Sequence, residues 1–343
     1  MKPDIKISPP ANWLKINTIE MHTGGEPLRI LLDGMPEIKG DTILKKRSFF
    51  RDRLDYIRTA TMFEPRGHAD MYGAVITEPI CPDSDFGTFF MHNEGYSTMC
   101  GHATLALTKL VIESKIVDYK EGEIIKIDAP PGQLKAKANL KEGKVISSSF
   151  LNVPSFVLMQ NETIRIPGIG VIKFDVAYGG AFYVFCDADD LGLSLEPANF
   201  YKLIDYGKKI KKAVIEKFEI KHPFEDELGF LYGTIFTGKA MRNAHHSRNV
   251  CIFADGELDR SPTGSGISAR AALHYAKGEL KPGERITIES ILGTTMDVCI
   301  SKTTQYGPFE AVIPEVSGQS YFTGKNEFWF DPDDPLRKGF IFR

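Results

Sequence analysis

Asn93-Glu94-Gly95-Tyr96-Ser97-Thr98-Met99-Cys100-Gly101-His102-Ala103-Thr104-Leu105-Ala106-Leu107 is the stretch on which the rest of the chain turns. A polar approach containing Gly95 runs into Cys100-Gly101-His102, and an apolar helical run through Leu105, Leu107, Leu110 and Val111 follows at once. The pattern places a cysteine at the mouth of a buried helix. With Thr98 as the expected cap of the first turn, the N–H groups of Gly101 and His102 are left unpaired and can hold an anion. The same terminus is expected to lower a thiol's pKa, which makes Cys100 a candidate base or nucleophile; the alternative is an inert core cysteine.

The stretch has a second copy. Ser261-Pro262-Thr263-Gly264-Ser265-Gly266 opens another helical run, through Ile267, Ala271, Leu273 and His274. Thr263 lies 163 positions beyond Cys100 (263 minus 100), which sets Ser261 against Thr98 and Gly264 against Gly101. A glycine pair recurs at nearly the same interval, Gly24-Gly25 and Gly179-Gly180 being 155 apart (180 minus 25). Two features with nearly equal spacing predict a duplicated α/β unit. The expected division is residues 1–165 for the unit carrying Cys100, completed by 321–343, and 166–320 for the unit carrying Thr263.

A chain of 343 residues is long enough for two cores of ordinary size. A hydrophobic share of 42%, a charged share of 25% and a net charge of −3 are those of a globular protein without a basic nucleic-acid surface. The five cysteines, at 81, 100, 186, 251 and 299, show no paired spacing. That argues for a reducing compartment and against a disulfide framework or a structural zinc site, and Cys81, Cys186, Cys251 and Cys299 are expected in the core. The N-terminus lacks the apolar centre of a signal peptide and no stretch reaches membrane-spanning length, so a cytoplasmic protein with no membrane partner is expected.

Along the chain, residues 1–12 read as a lead-in, and strands are expected on both sides of Gly24-Gly25. The charged segment 38–57 reads as a helix packed outside a sheet, and 195–218 matches it in the second half. Arg66 and Asp70 are expected to form an ion pair that holds a polar loop. Short strands are expected at 73–80, 85–92, 124–127, 134–138 and 145–150, and again at 171–184, 232–236, 249–253, 285–289, 296–301 and 310–314.

Two helix starts facing one another across a cleft would offer backbone donors to one small carboxylate, which suits an α-amino acid. Those dipoles also stabilise the charge that develops when a Cα proton leaves. Cys100 is the candidate base, and His102 or Asp259 could contact the amino group. Two-sided inversion needs a second proton-transferring group, and the hydroxyl of Thr263 is too weak an acid and base for it at neutral pH. One working base points instead to elimination from a substrate with a β-hydroxyl.

Other readings are weaker. His22, His68 and His92 with Cys100 lack a close ligand pair, and the chemistry needs no Lewis acid, so no metal is expected. Thr263-Gly264-Ser265-Gly266 lacks the full dinucleotide pattern and the P-loop lysine, and no Gly-x-Ser-x-Gly elbow occurs there.

Met21-His22-Thr23-Gly24-Gly25-Glu26-Pro27, Glu64-Pro65-Arg66-Gly67-His68, Met99-Cys100-Gly101-His102, Asp175 with Tyr178-Gly179-Gly180, and Asp259-Arg260-Ser261-Pro262 together resemble the proline racemase family, within the folds that include diaminopimelate epimerase. The resemblance implies an α/β fold of two pseudo-equivalent domains, each a sheet wrapped around a central helix, with the active site in the cleft between them. It implies Cys100 and Thr263 as the catalytic pair, and substrate contacts at Gly101, His102, Asp259, Gly264 and Ser265. It also implies a cyclic imino acid as substrate, no cofactor and a homodimer. Racemases and 4-hydroxyproline epimerases of that family carry cysteine at both helix starts. Thr263 departs from that pattern and resembles the branch that dehydrates trans-3-hydroxy-L-proline to Δ1-pyrroline-2-carboxylate, the alternative being a proline or hydroxyproline racemase or 2-epimerase.

Overall fold

The computed structural model describes residues 7–342; the first six positions of the lead-in expected at 1–12, and Arg343, lie outside the described residues. Gly24 and Gly25, at φ 63° and 96°, form the two-residue loop that only glycine adopts without strain, and they join β1 (Leu14–Thr23) to β2 (Glu26–Asp33) as a hairpin. The chain then leaves the sheet. Thr42 accepts the Lys45 N–H to start α1 (Ile43–Arg53), α2 (Asp55–Met62) follows, and the pair returns the chain to β3 (Tyr72–Thr77), parallel to β2. Phe50, Leu54, Ile57 and Met62 pack on Leu31, Val75 and Phe89, so these helices cover the outer face of the sheet, as their charged sequence led one to expect.

β4 (Phe86–His92) runs antiparallel to β3, and β5 (Gly95–Ser97) folds back along it. α3 (Gly101–Glu113) then crosses to β6 (Ile125–Ala129), parallel to β4, and β7 (Gly132–Lys141) and β8 (Lys144–Leu151) follow. Ten of the 13 residues of α3 are buried, so it is a helix surrounded by protein rather than one lying on a surface. Its hydroxyls are satisfied internally, Thr104 Oγ1 donating to the Cys100 carbonyl at 2.7 Å and Thr108 Oγ1 to Thr104 at 2.8 Å.

The plan then repeats. After β9 (Ser155–Ile166) come the hairpin of β10 (Gly170–Tyr178) and β11 (Phe182–Asp187), the outer helix α4 (Phe200–Lys217), and β12 (Leu231–Gly238) parallel to β11. β13 (Ser247–Phe253) and the two-residue β14 (Glu257–Leu258) lead into α5 (Gly264–Ala276), ten of whose 13 residues are buried. β15 (Arg285–Glu289) lies parallel to β13, followed by β16 (Thr295–Tyr306), β17 (Phe309–Gly318) and β18 (Ser320–Phe330). β18 pairs along β1, and β9 pairs along β10, so the strand that ends each repeat joins the hairpin that opens the other. β17 bonds to both β8 and β9 and joins the two sheets. One sheet wraps α3 and the other wraps α5.

Two expectations are corrected, and one strand appears that the sequence reading did not include. Arg66 lies 3.8 Å from Asp334, while Asp70 pairs with Arg260 at 2.8 Å; each prefers a partner the fold brings from far along the chain. Cys81 is exposed, in a turn after β3 rather than in the core. β9 was not anticipated, because its polar centre, Gln160-Asn161-Glu162, hides the alternation that its pairing with β10 enforces. Among the described residues, no helix is long and apolar enough to cross a membrane.

Candidate active site

The two central helices meet at their starts. A Cβ on Gly101 would fall 2.5 Å from Gly264 Cα, and one on Gly264 would fall 2.6 Å from Gly101 Cα, so only glycine at both positions permits the approach. The first N–H groups of α3 and α5, which have no intrahelical acceptor, therefore converge on one place. Thr98 does not cap α3 as expected. Its hydroxyl donates to the Gly180 carbonyl at 2.6 Å, tying the approach loop to the second glycine pair. Cys100 holds the capping position itself, at φ −141° and ψ 111°, and Sγ accepts the Ala103 N–H at 3.3 Å.

In α5 the equivalent position is Thr263, at φ 67° and ψ 93°, a conformation that a β-branched residue rarely takes. Its backbone N–H donates to Ser261 Oγ at 3.1 Å. Its hydroxyl donates to Asp259 Oδ2 at 2.7 Å, and Asp259 Oδ1 accepts the Ser261 N–H at 2.7 Å. Asp259 thus organises the loop that starts α5 while facing the same space as Cys100.

That space is a small cavity whose lining includes Cys100, Gly101, His102, Asp259, Thr263, Gly264 and Ser265. The structure brings these seven sequence-predicted positions together from opposite halves of the chain. Sequence reasoning missed Glu26, Tyr72, Tyr183, Tyr232 and Phe253, which also line it. One signal was present: Tyr72-Gly73 and Tyr232-Gly233 are 160 apart (232 minus 72), close to the interval between the helix starts. Cys251, expected in the core, is buried and faces this cavity as well.

Burial governs the charges. Cys100 Sγ stands 3.1 Å from His102 Nδ1, yet burial pushes the thiol well above the ordinary cysteine range, with the Ala103 N–H offsetting this only in part. The expected lowering by the helix start is overtaken by desolvation. Burial also lowers His102 to about 4, so its imidazole is neutral at pH 7. Glu26 is pushed well above the carboxylate range, first by burial and then by the nearby charge of Asp259. Its Oε2 accepts the Arg260 N–H at 2.7 Å, and Oε1 has no partner. His92 Nδ1 stands 2.9 Å from Glu257 Oε1, and the described residues contain no cluster of three metal-ligating side chains.

The sequence profile described as proline racemase matches residues 18–341. The chain is 52% identical to the trans-3-hydroxy-L-proline dehydratase of Colwellia psychrerythraea, over 97% of its own length and 94% of that protein. It is 41% identical to the proline racemase of Clostridioides difficile, over 96% of its length and 98% of that enzyme. In three dimensions it resembles a hydroxyproline epimerase from Agrobacterium vitis solved with bound trans-4-hydroxy-L-proline: TM-score 0.92, 27% identity, 97% of this chain and 96% of that one. The fold is the diaminopimelate-epimerase-like arrangement of two pseudo-equivalent α/β domains with a cleft between them. Because the likeness runs from β1 past β18 and takes in both helix starts, this chain belongs to the proline racemase family of enzymes.

Proposed function

We propose that the protein is a trans-3-hydroxy-L-proline dehydratase, a cofactor-independent hydro-lyase that yields Δ1-pyrroline-2-carboxylate. The observation that carries this reading is the unequal pair at the helix starts: a thiol at Cys100, and at Thr263 a hydroxyl whose proton is given to Asp259. The substrate carboxylate is received by the N–H groups of Gly101, His102, Gly264 and Ser265, and the ring ammonium by Asp259 with His102 beside it. The thiolate of Cys100 removes the Cα proton. Burial disfavours that thiolate at rest, and the arriving ammonium supplies the positive charge that favours it.

In trans-3-hydroxy-L-proline the hydroxyl and the Cα hydrogen share one face of the ring, the face turned to Cys100 in this reading. The electrons of the broken C–H bond form the ring double bond, the C3–O bond breaks, and the proton held by Cys100 goes to the departing oxygen. Water and an enamine result, and the enamine tautomerises to the cyclic imine. Thr263, with its hydroxyl committed to Asp259, supplies no proton to the opposite face. The higher identity to the dehydratase relative than to the racemase agrees with this assignment.

The second reading, a proline or hydroxyproline racemase or 2-epimerase, draws on Cys251, whose buried thiol also lines the cavity. That thiol sits within β13, not at a helix start, so it lacks the place in the pair that Cys100 and Thr263 occupy. Product analysis with a panel of proline isomers in D₂O separates the readings. The expected outcome is cyclic imine from trans-3-hydroxy-L-proline and Cα exchange without inversion of L-proline; substantial D-proline would overturn it, and Cys251→Ser would show whether that thiol is the cause. A cytoplasmic location and a homodimer belong to the same reading, supported by the unpaired cysteines and the family resemblance. Light scattering tests the dimer.

A further inference from the structure

Tyr72 and Tyr232 occupy matching places, each ahead of a glycine and each at the opening of the strand that follows its unit's outer helices, β3 or β12. His92 and Phe253 match in the same way, ending β4 and β13. The four rings form one aromatic wall: Tyr72 lies 5.8 Å from His92 and 6.0 Å from Phe253, and Tyr232 lies 5.9 Å from His92 and 5.5 Å from Phe253. The cavity's acidic groups, Glu26 and Asp259, gather elsewhere, around the Arg260 backbone.

The tyrosine hydroxyls of the cavity are not treated alike. Tyr72 Oη pairs with Ser97 Oγ, and Tyr183 Oη pairs with Ser265 Oγ at 2.7 Å. Tyr232 is 5% exposed and its Oη is buried without a hydrogen-bond partner. The Tyr72 hydroxyl is close enough to influence its acidity but lies outside hydrogen-bond geometry. A buried hydroxyl left unpaired is destabilising, so one that borders a binding cavity is explained by a ligand that satisfies it. Glu26 Oε1, the other unpaired atom of the lining, stands with Asp259 on the side assigned to the ammonium.

A hydroxylated proline carries one polar group beyond its carboxylate and ammonium. We propose that Tyr232 is a specificity-determining residue that donates a hydrogen bond from Oη to the substrate's 3-hydroxyl oxygen. The inference rests on the dehydratase reading. Tyr232 keeps its own proton throughout, held by burial, and the proton that completes the water still comes from Cys100. The contact tightens as negative charge builds on the departing oxygen, so it favours elimination and rejects rings that lack the hydroxyl.

The test compares wild type with Tyr232→Phe in two assays: dehydration of trans-3-hydroxy-L-proline, and Cα–H exchange of L-proline in D₂O, which needs Cys100 but no hydroxyl. Dehydration is expected to fall about 10- to 100-fold, and exchange by no more than about threefold. Equal loss in both assays, or dehydration kept within about threefold, overturns the proposal. A measurement without turnover guards against a folding artefact: calorimetry in a Cys100→Ala background should show trans-3-hydroxy-L-proline bound at least tenfold more tightly than L-proline, a preference abolished by adding Tyr232→Phe. An unchanged preference in the double variant also overturns it. Failure of the dehydratase reading itself would be seen earlier, as wild-type protein that releases no imine.

Discussion

The starts of α3 and α5 share a backbone plan and differ in what the capping side chain is free to do. At Cys100 the backbone is extended, and the sulfur turns back over its own helix while still facing the cavity. At Thr263 the backbone takes φ 67°, a strain of about 1–3 kcal/mol for a non-glycine residue, and the hydroxyl is bound to Asp259. In the proposed reading the two helix starts bind the carboxylate alike, and proton transfer is one-sided because the side chains differ.

The strongest challenge to that contrast is removal of the thiol. Cys100→Ser leaves a hydroxyl at both starts and should reduce dehydration about 10³-fold or more, with the Cα exchange of L-proline falling in step. Turnover within tenfold of wild type would place the base elsewhere. The wild-type rate should also climb with pH. Burial raises Cys100, and activity needs the thiolate, so kcat/KM is expected to increase from pH 7 beyond pH 9; a plateau below pH 8 would mean that another group sets the rate.

The symmetric half of the comparison rests on the two facing glycines. Gly101→Ala and Gly264→Ala each drive a Cβ into the other's backbone, which cannot give way as a side-chain tip could. Each should destabilise the fold by about 1–3 kcal/mol and cut kcat/KM about 10²-fold by separating the helix starts. The two losses should be alike. A large effect at one position alone would show that one helix start carries the carboxylate.

How much of this was legible in the sequence depends on the range of the interaction. The central helices announce themselves through continuous apolar runs, and Gly24-Gly25 reads as a hairpin because its conformation is decided locally. Both helix starts were read from their own patterns, and the interval between them revealed the repeat. The cap was misplaced because threonine is the better capping residue on its own, while tertiary structure gives Thr98 to Gly180 and leaves the role to Cys100. Glu26 and Tyr232 carry no local signature. Their importance is an unpaired atom facing a cavity, which exists only once strands from both halves enclose it. The raised thiol pKa is of the same kind, since a helix-end argument is local and desolvation belongs to the whole assembly.

Thr263→Cys turns the contrast into a near-symmetric pair. It should introduce D-proline from L-proline in D₂O while dehydration falls less than about tenfold, because the first thiol and the facing glycines are untouched. Chiral chromatography reads the outcome. No inversion together with intact exchange would mean that the strained Thr263 backbone, and not the side chain alone, keeps a second group away from Cα.

Thr263→Val makes the smallest change and isolates the hydroxyl. Valine keeps the β-branch, so the backbone strain is the same before and after, but Asp259 Oδ2 loses the donor that lies 2.7 Å away. A buried carboxylate short of one hydrogen bond costs about 1.5–3 kcal/mol in the free protein, and the fold should melt a few degrees lower. Substrate ammonium can take the vacated place. Saturating L-proline should therefore raise the Tm of the variant more than that of the wild type, with Cα exchange kept within about threefold. If Thr263 were instead a proton donor, the opposite split would appear: exchange lost, and the ligand-induced rise in Tm unchanged.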